Sequence, residues 1–309
     1  MTAPGGSSRR SALTAMLGTW PCLRGAMAED ANSPLRIAIS ESMVVDVNLS
    51  DARAAMQTWI RRIQLDLNVA IEIDAKVFST TEEIVRLIRN GQLDAAAMNV
   101  VEYRPVRDLF DTSEIFVGAG TSGPDEYLLL VKRDGGFNRL ADLRGHKLCS
   151  LRAPKMCVAP AWLSTVLDAE RLGPAEGFLG AMTWDTKVSR VVLPVFFGQA
   201  EACLTSKRGF GVMCELNPQV AKDLTAIAAS PLLVTCFYAF RKNYRDPNRE
   251  RFFNLHKTLL SGAAGRQLAT LFQFDELTVR DSSCLASSLS ILDKAERVHT
   301  KLAPGGRKG

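Results

Sequence analysis

Arg190–Glu215 reads RVVLPVFFGQAEACLTSKRGFGVMCE. An apolar run through Val191, Val192, Leu193, Val195, Phe196 and Phe197 has the length and spacing of a helix and stops at Gly198. An acid, Glu201, then leads into the small apolar residues Ala202, Cys203 and Leu204, which read as a short strand. The same order occurs about a hundred residues earlier: Ile84, Leu87 and Ile88 run to Gly91, and Asp94 leads into Ala95-Ala96-Ala97-Met98. A helix, a glycine stop, an acid and a short strand, used twice, predict two similar α/β lobes.

The pieces around each repeat agree with this. Leu35–Ile39 reads as a strand, and Ser50 caps a helix with Met56, Trp59, Ile60, Ile63 and Leu67 on one face. Val69–Ile73 reads as the next strand, and Thr80 with Glu83 forms a capping box for the helix ending at Gly91. This β-α-β-α-β order predicts a mainly parallel sheet flanked by helices. The glycine-rich stretch 115–124 reads as the first crossing between lobes. Strands at 127–132, 147–151, 182–184 and 224–228 and helices at 158–172 and 187–197 fill the second lobe. The apolar run 232–241 carries the chain back, and helices are predicted at 247–260, 263–272 and 285–302. The expected division is therefore residues 29–122 as the first part of lobe 1, 123–231 as lobe 2, 232–302 as the return to lobe 1, and 303–309 as a disordered tail.

The 309 residues are 47% hydrophobic and 23% charged, enough for two lobes with real cores. No window of eighteen uninterrupted apolar residues suggests a membrane span. The formal charge of +5 is partly owed to Arg9, Arg10 and Arg24; the rest holds 35 basic and 33 acidic residues, a balance that gives no case for a nucleic-acid partner. Residues 1–28 read as an export signal, with Arg9-Arg10 at its start, a mildly apolar stretch from Ser11 to Trp20, and Ala26-Met27-Ala28 as the cleavage pattern. The Ser8–Leu13 segment also fits part of a twin-arginine motif, so the export route stays open. Beyond the signal lie six cysteines, at 149, 157, 203, 214, 236 and 284. An even count in an exported chain permits disulfides, and Cys149 with Cys157 and Cys203 with Cys214 are the sequence neighbours; the alternative is that they are small buried hydrophobes. No C-x-x-C spacing points to zinc or dithiol chemistry, and no cofactor motif is present.

Four markers in order carry a family resemblance: Gly91-Gln92-Leu93-Asp94 followed by Tyr103; Leu140-Ala141-Asp142-Leu143-Arg144-Gly145-His146-Lys147-Leu148; Gly198-Gln199-Ala200-Glu201-Ala202; and Ser230-Pro231 before a strand ending in Arg241-Lys242. From Leu35 to Leu302 the chain resembles type 2 periplasmic substrate-binding proteins of the phosphate/phosphonate branch of ABC importers. The resemblance implies a two-lobe periplasmic-binding-protein fold with two hinge crossings, a small anionic or zwitterionic solute as ligand, an ABC permease as partner, a periplasmic location and a monomer that is not an enzyme. Where such proteins carry a hydroxyl-rich loop, this chain has Leu151-Arg152-Ala153-Pro154-Lys155-Met156-Cys157, with only Ser150 as a hydroxyl. A sensing subunit of the same fold, or an enzyme using Cys157, are the alternatives.

In such a fold ligand sits at the carboxyl ends of the parallel strands. The ligand-binding candidates there are Glu41 and Ser42, Asn99 and Tyr103, Ser150, Arg152 and Lys155, and Trp184; Glu201, at the start of its strand, is added as an acid for a ligand ammonium. Arg152 and Lys155 suit an oxyanion. Tyr103 and Trp184 present aromatic surface to a solute or to the core.

Overall fold

A computed structural model describes residues 34–43, 49–66, 73–119, 123–271 and 276–302. The export signal and the tail expected from the sequence lie outside them. The first lobe begins with β1 (Leu35–Ser40), α1 (Leu49–Asp66), β2 (Ile73–Phe78), α2 (Thr81–Arg89), β3 (Ala95–Asn99), α3 (Val100–Tyr103) and β4 (Phe110–Ala119). The second lobe holds β5 (Tyr127–Lys132), β6 (Lys147–Leu151), α4 (Ala159–Ala169), α5 (Ala175–Phe178), β7 (Ala181–Asp185), α6 (Val188–Phe196), β8 (Ala202–Ser206), α7 (Lys207–Leu216), α8 (Pro218–Asp223) and β9 (Leu224–Ala229). The chain returns through β10 (Cys236–Arg241), α9 (Asn248–Thr258), α10 (Ala263–Leu271), β11 (Glu276–Arg280) and α11 (Ala286–Leu302).

Two sheets result, in the orders β11-β4-β10-β3-β1-β2 and β7-β6-β8-β5-β9. In each, three strands are parallel with the first in the middle: β2-β1-β3 and β7-β6-β8. The strand that enters from the other lobe then pairs antiparallel with the third, β10 on β3 and β5 on β8. The reason is geometric. Both crossings arrive at the carboxyl ends of the parallel strands, so the arriving chain must run the opposite way: Cys236 opens β10 beside Asn99, and Tyr127 opens β5 beside Ser206. The inner strands of the second sheet are apolar and buried, as strands covered on both faces must be; Leu129, Leu130 and Val131 of β5 and Ala202, Cys203 and Leu204 of β8 are fully buried.

Several boundaries differ from the sequence reading. The second strand is Ile73–Phe78 rather than 69–73, because Leu35 pairs with Ile73 and sets the register; residues 67–72 lie outside those described. The run 232–241 is a strand only from Cys236, its first part being the crossing itself, bridged to Asp125 through Leu233. α7, α8 and β11 carry no strong apolar period and were not expected. The last helix also leaves the first lobe. α11 packs along α4, while its Asp293 accepts from Arg104 at 2.8 Å, Glu296 pairs with the same guanidinium, and Ser288 donates to the Val234 carbonyl at 2.6 Å. It therefore spans the junction rather than completing lobe 1.

Candidate functional site

The two repeats fold into the same local device. α2 ends at Gly91 (φ +63°), with the N–H of Gln92 donating to the Leu87 carbonyl; α6 ends at Gly198 (φ +71°), with Gln199 donating to Pro194. Both are left-handed helix ends in which glycine spares the cost of a Cβ. Three residues on, each acid turns back to the first parallel strand of its sheet, β1 or β6. The buried Asp94 carboxylate accepts the Arg36 N–H at 3.0 Å, and Glu201 accepts the Lys147 N–H at 2.9 Å. Eight residues after each glycine, at the far end of the strand, stands a helix cap: Asn99 for α3 and Ser206 for α7. The acids thus brace the amino ends of the sheets, and the caps face the cleft.

On the first lobe's rim, Asn99 Oδ1 accepts the N–H groups of Val101 and Glu102 at 2.9 and 3.0 Å, and the Glu102 carboxylate accepts the Asn99 N–H at 3.1 Å, a reciprocal capping box. The Asn99 amide also donates to Ser42 Oγ at 2.8 Å, Ser42 and Ser40 hydroxyls pair at 2.8 Å, and Ser40 donates to Glu102. Glu41 takes the Ser79 hydroxyl. This wall presents hydroxyls and two carboxylates.

The second lobe's rim is cationic. Arg152 follows β6 and lies over the half-exposed Trp184 ring at 5.7 Å. Lys155 sits in the single turn Pro154–Met156, which is held by its carbonyl: Tyr127 Oη donates to it at 2.7 Å and Thr235 Oγ1 at 3.3 Å. Lys155 lines a cavity at the crossings together with Gly118, Asp125, Tyr127, Thr235 and Cys236. At the end of β8, Ser206 Oγ accepts the Gly209 N–H at 3.0 Å, Lys207 pairs with Glu126 at 2.8 Å, and the Arg208 N–H donates to Asp125 at 3.3 Å. Arg208 Nη1 is buried and has no hydrogen-bond partner among the described residues; Thr205 Oγ1, fully buried one residue before the cap, has none either. A guanidinium nitrogen in that state is costly unless something fills it. Among the described residues no group of three His, Cys, Asp or Glu is placed to hold a metal ion, and no helix is long and apolar enough to cross a membrane.

Of the residues expected at the site, the fold brings Glu41, Ser42 and Asn99 together on one rim and Arg152, Lys155 and Trp184 on the other. Ser150 lies two residues before Arg152, 3% exposed within β6. Two expectations are corrected. Tyr103 is 2% exposed, edge-on to Phe237 at 4.9 Å, and its burial raises the phenol above its ordinary value; it is core, because α3 is a single turn whose apolar side must face inward. Glu201 lies at the opposite end of β8 from the cleft, where it corresponds to Asp94. The cysteine pairs are also corrected: Cys149, Cys157, Cys203 and Cys214 are free thiols, with Cys149 beside Cys203 across β6 and β8 and its sequence neighbour Cys157 near Thr235 instead. Sequence reasoning missed Ser206, Lys207 and Arg208. The signal was present, since the eight-residue offset from Gly91 to Asn99 leads from Gly198 to Ser206.

A family model described as ABC transporter, phosphonate, periplasmic substrate-binding protein matches residues 43–283. No curated relative matches the sequence. Among solved structures, a Xanthomonas citri protein bound to ATP aligns with a TM-score of 0.60 at 14% identity, covering 88% of this chain and 100% of that one. A binding protein component of a phosphonate ABC transporter from Pseudomonas aeruginosa aligns at 0.55 and 14%, covering 88% and 90%. A Prochlorococcus marinus protein in complex with methylphosphonate aligns at 0.51 and 12%, covering 87% and 99%. At these identities the likeness is one of fold.

Proposed function

The chain belongs to the family of periplasmic substrate-binding proteins of phosphonate ABC transporters, and from that premise we propose that it captures a small oxyanion-bearing solute between Arg208, Lys155 and Arg152 of the second lobe and the Asn99 rim of the first. Members of this family work outside the inner membrane, hand solute to an ABC permease, and make or break no bond. The observation that carries the ligand class is the buried Nη1 of Arg208 at the carboxyl end of β8, which has no partner among the described residues. A planar guanidinium accepts a phosphonate or carboxylate through paired charge-assisted bonds, and an uncompensated one inside a cleft favours closure onto such a group. Lys155, lining the cavity at the crossings, supplies a second positive charge.

The first lobe's wall adds selectivity. Glu41 is exposed beside Ser42, and both suit a ligand ammonium or hydroxyl, so a zwitterion is accommodated with its anionic end toward the second lobe. The export signal would be removed near Ala28.

Calorimetric titration of the chain from Glu29 onward with methylphosphonate, an aminoalkylphosphonate, phosphate and an alkylsulfonate tests this. One of these anions is expected to bind, and Arg208→Ala is expected to weaken it about 100-fold without changing the circular dichroism. Binding that survives Arg208→Ala at full strength would move the anion away from β8. No heat with any of the four would sink the oxyanion reading.

A further inference from the structure

The tertiary structure places two cysteines together that are far apart in sequence. Cys157 closes the turn that carries Lys155 and leads into α4 of the second lobe; Cys236 opens β10 as the chain re-enters the first. Cys157 Sγ lies 3.9 Å from the carbonyl of Thr235, the residue bonded to Cys236, and Thr235 Oγ1 in turn donates to the Lys155 carbonyl. Cys236 lines the cavity at the crossings, and Cys157 is only partly covered. We propose that Cys157 and Cys236 are a disulfide site across the hinge, held as free thiols in this structure.

Burial, with Cys236 next in effect, pushes the Cys157 thiol well above its ordinary value, and burial pushes Cys236 up to about 12. Raised thiols hold little thiolate at neutral pH, so oxidation is expected to be slow. The competing near pair is less suited. Cys149 and Cys203 are in register on the adjacent parallel strands β6 and β8, where neither lies near a crossing. Both of those residues are also sealed inside one lobe.

The chemistry needs a disulfide oxidant, as an exported compartment supplies. The Cys157 thiolate attacks a small disulfide such as oxidised glutathione, releasing one thiol and leaving a mixed disulfide. Cys236, as thiolate, displaces the second thiol and forms the Cys157–Cys236 bond. Two protein thiols are oxidised and one disulfide is reduced to two thiols. The bond pins the Lys155 turn to β10 at the pivot, closing a separation of 79 residues, and the chain-entropy of so long a loop makes the oxidised form the more stable.

The test is to equilibrate the chain with oxidised glutathione, alkylate, digest without reductant and map linked peptides by mass, with melting measured before and after. The expected result is a Cys157–Cys236 linkage and a melting temperature about 5 °C or more above the reduced form. The gain should be absent in both Cys157→Ser and Cys236→Ala, each of which should melt like the reduced protein. Alkylation of both cysteines after oxidation, linkage to other cysteines, or linkage with no rise in melting temperature overturns the proposal.

Discussion

In the first lobe the turn at Gly91 leads to Asp94, whose carboxylate takes the Arg36 guanidinium at 2.8 and 2.9 Å, the Arg36 N–H, and Arg241 at 3.3 Å from the returning strand. In the second, the matching turn at Gly198 leads to Glu201, which accepts the Lys147 N–H at 2.9 Å. At the other end of the same strands the balance reverses. Asn99 is locked into a capping box with Glu102, whereas Ser206 is followed by Lys207 and by an Arg208 whose buried Nη1 has no partner among the described residues. One supersecondary unit thus carries a densely paired acid and a closed cap in one lobe, and a less paired acid and an unpartnered guanidinium nitrogen, among the described residues, in the other. A repeat fixes where polar groups stand; the sequence filling it decides whether they are satisfied internally or offered to a ligand.

The sharpest way to break this comparison is to remove both acids. Asp94→Ala is expected to cost about 3 kcal/mol, since it strands two arginines against a buried site. Glu201→Ala is expected to cost about 1 kcal/mol for one lost hydrogen bond. Urea unfolding measures both, and equal losses would show that the lobes are braced alike. A smaller effect tests the shared helix ends. A Cβ at Gly91 or Gly198 meets nothing within 4 Å, so Gly91→Ala and Gly198→Ala should each cost about 1 kcal/mol from the left-handed backbone alone. A marked difference between the two would mean that the turns are not equivalent.

The smallest effect concerns acid. Burial alone would raise the Asp111 carboxyl, but the Ser113 hydroxyl and N–H and the Arg249 guanidinium at 2.9 Å together hold it below its ordinary value. A depressed carboxylate stabilises the fold above its unfolded value and loses that contribution as pH falls through the lower folded one. Arg249 ties α9 to β4 through Asp111 and Glu114 and lies over Phe240. Hydrogen exchange is therefore expected to accelerate first in α9 and β4 of the first lobe below about pH 4. Faster early exchange in the second lobe's β6 and β8 would contradict the assignment.

Much of the fold was legible because its signals are local. Gly91 and Gly198, the Thr80 cap that accepts the Glu83 N–H, and the apolar strands at 127–132 and 147–151 need only chain geometry and burial to be read. The rims of the candidate site were partly legible for the same reason: strand ends can be located, so the positions of Asn99, Arg152 and Lys155 at those ends were reachable. Tyr103 was not, because whether a single-turn helix shows its aromatic residue to a cleft or to Phe237 depends on a strand more than a hundred residues later. β11 and α7 were not, because neither has an apolar period strong enough to stand alone.

The sequence by itself determined a twice-used unit, two lobes and the family, because helix ends, caps and apolar runs are properties of neighbouring residues. Only the tertiary structure decided how densely each acid is paired, which guanidinium nitrogen lacks a partner among the described residues, which cysteines lie near one another, and that α11 crosses the junction. Those outcomes depend on contacts between residues remote in the chain, such as the bridge of Asp125 to Leu233 where the chain crosses between lobes.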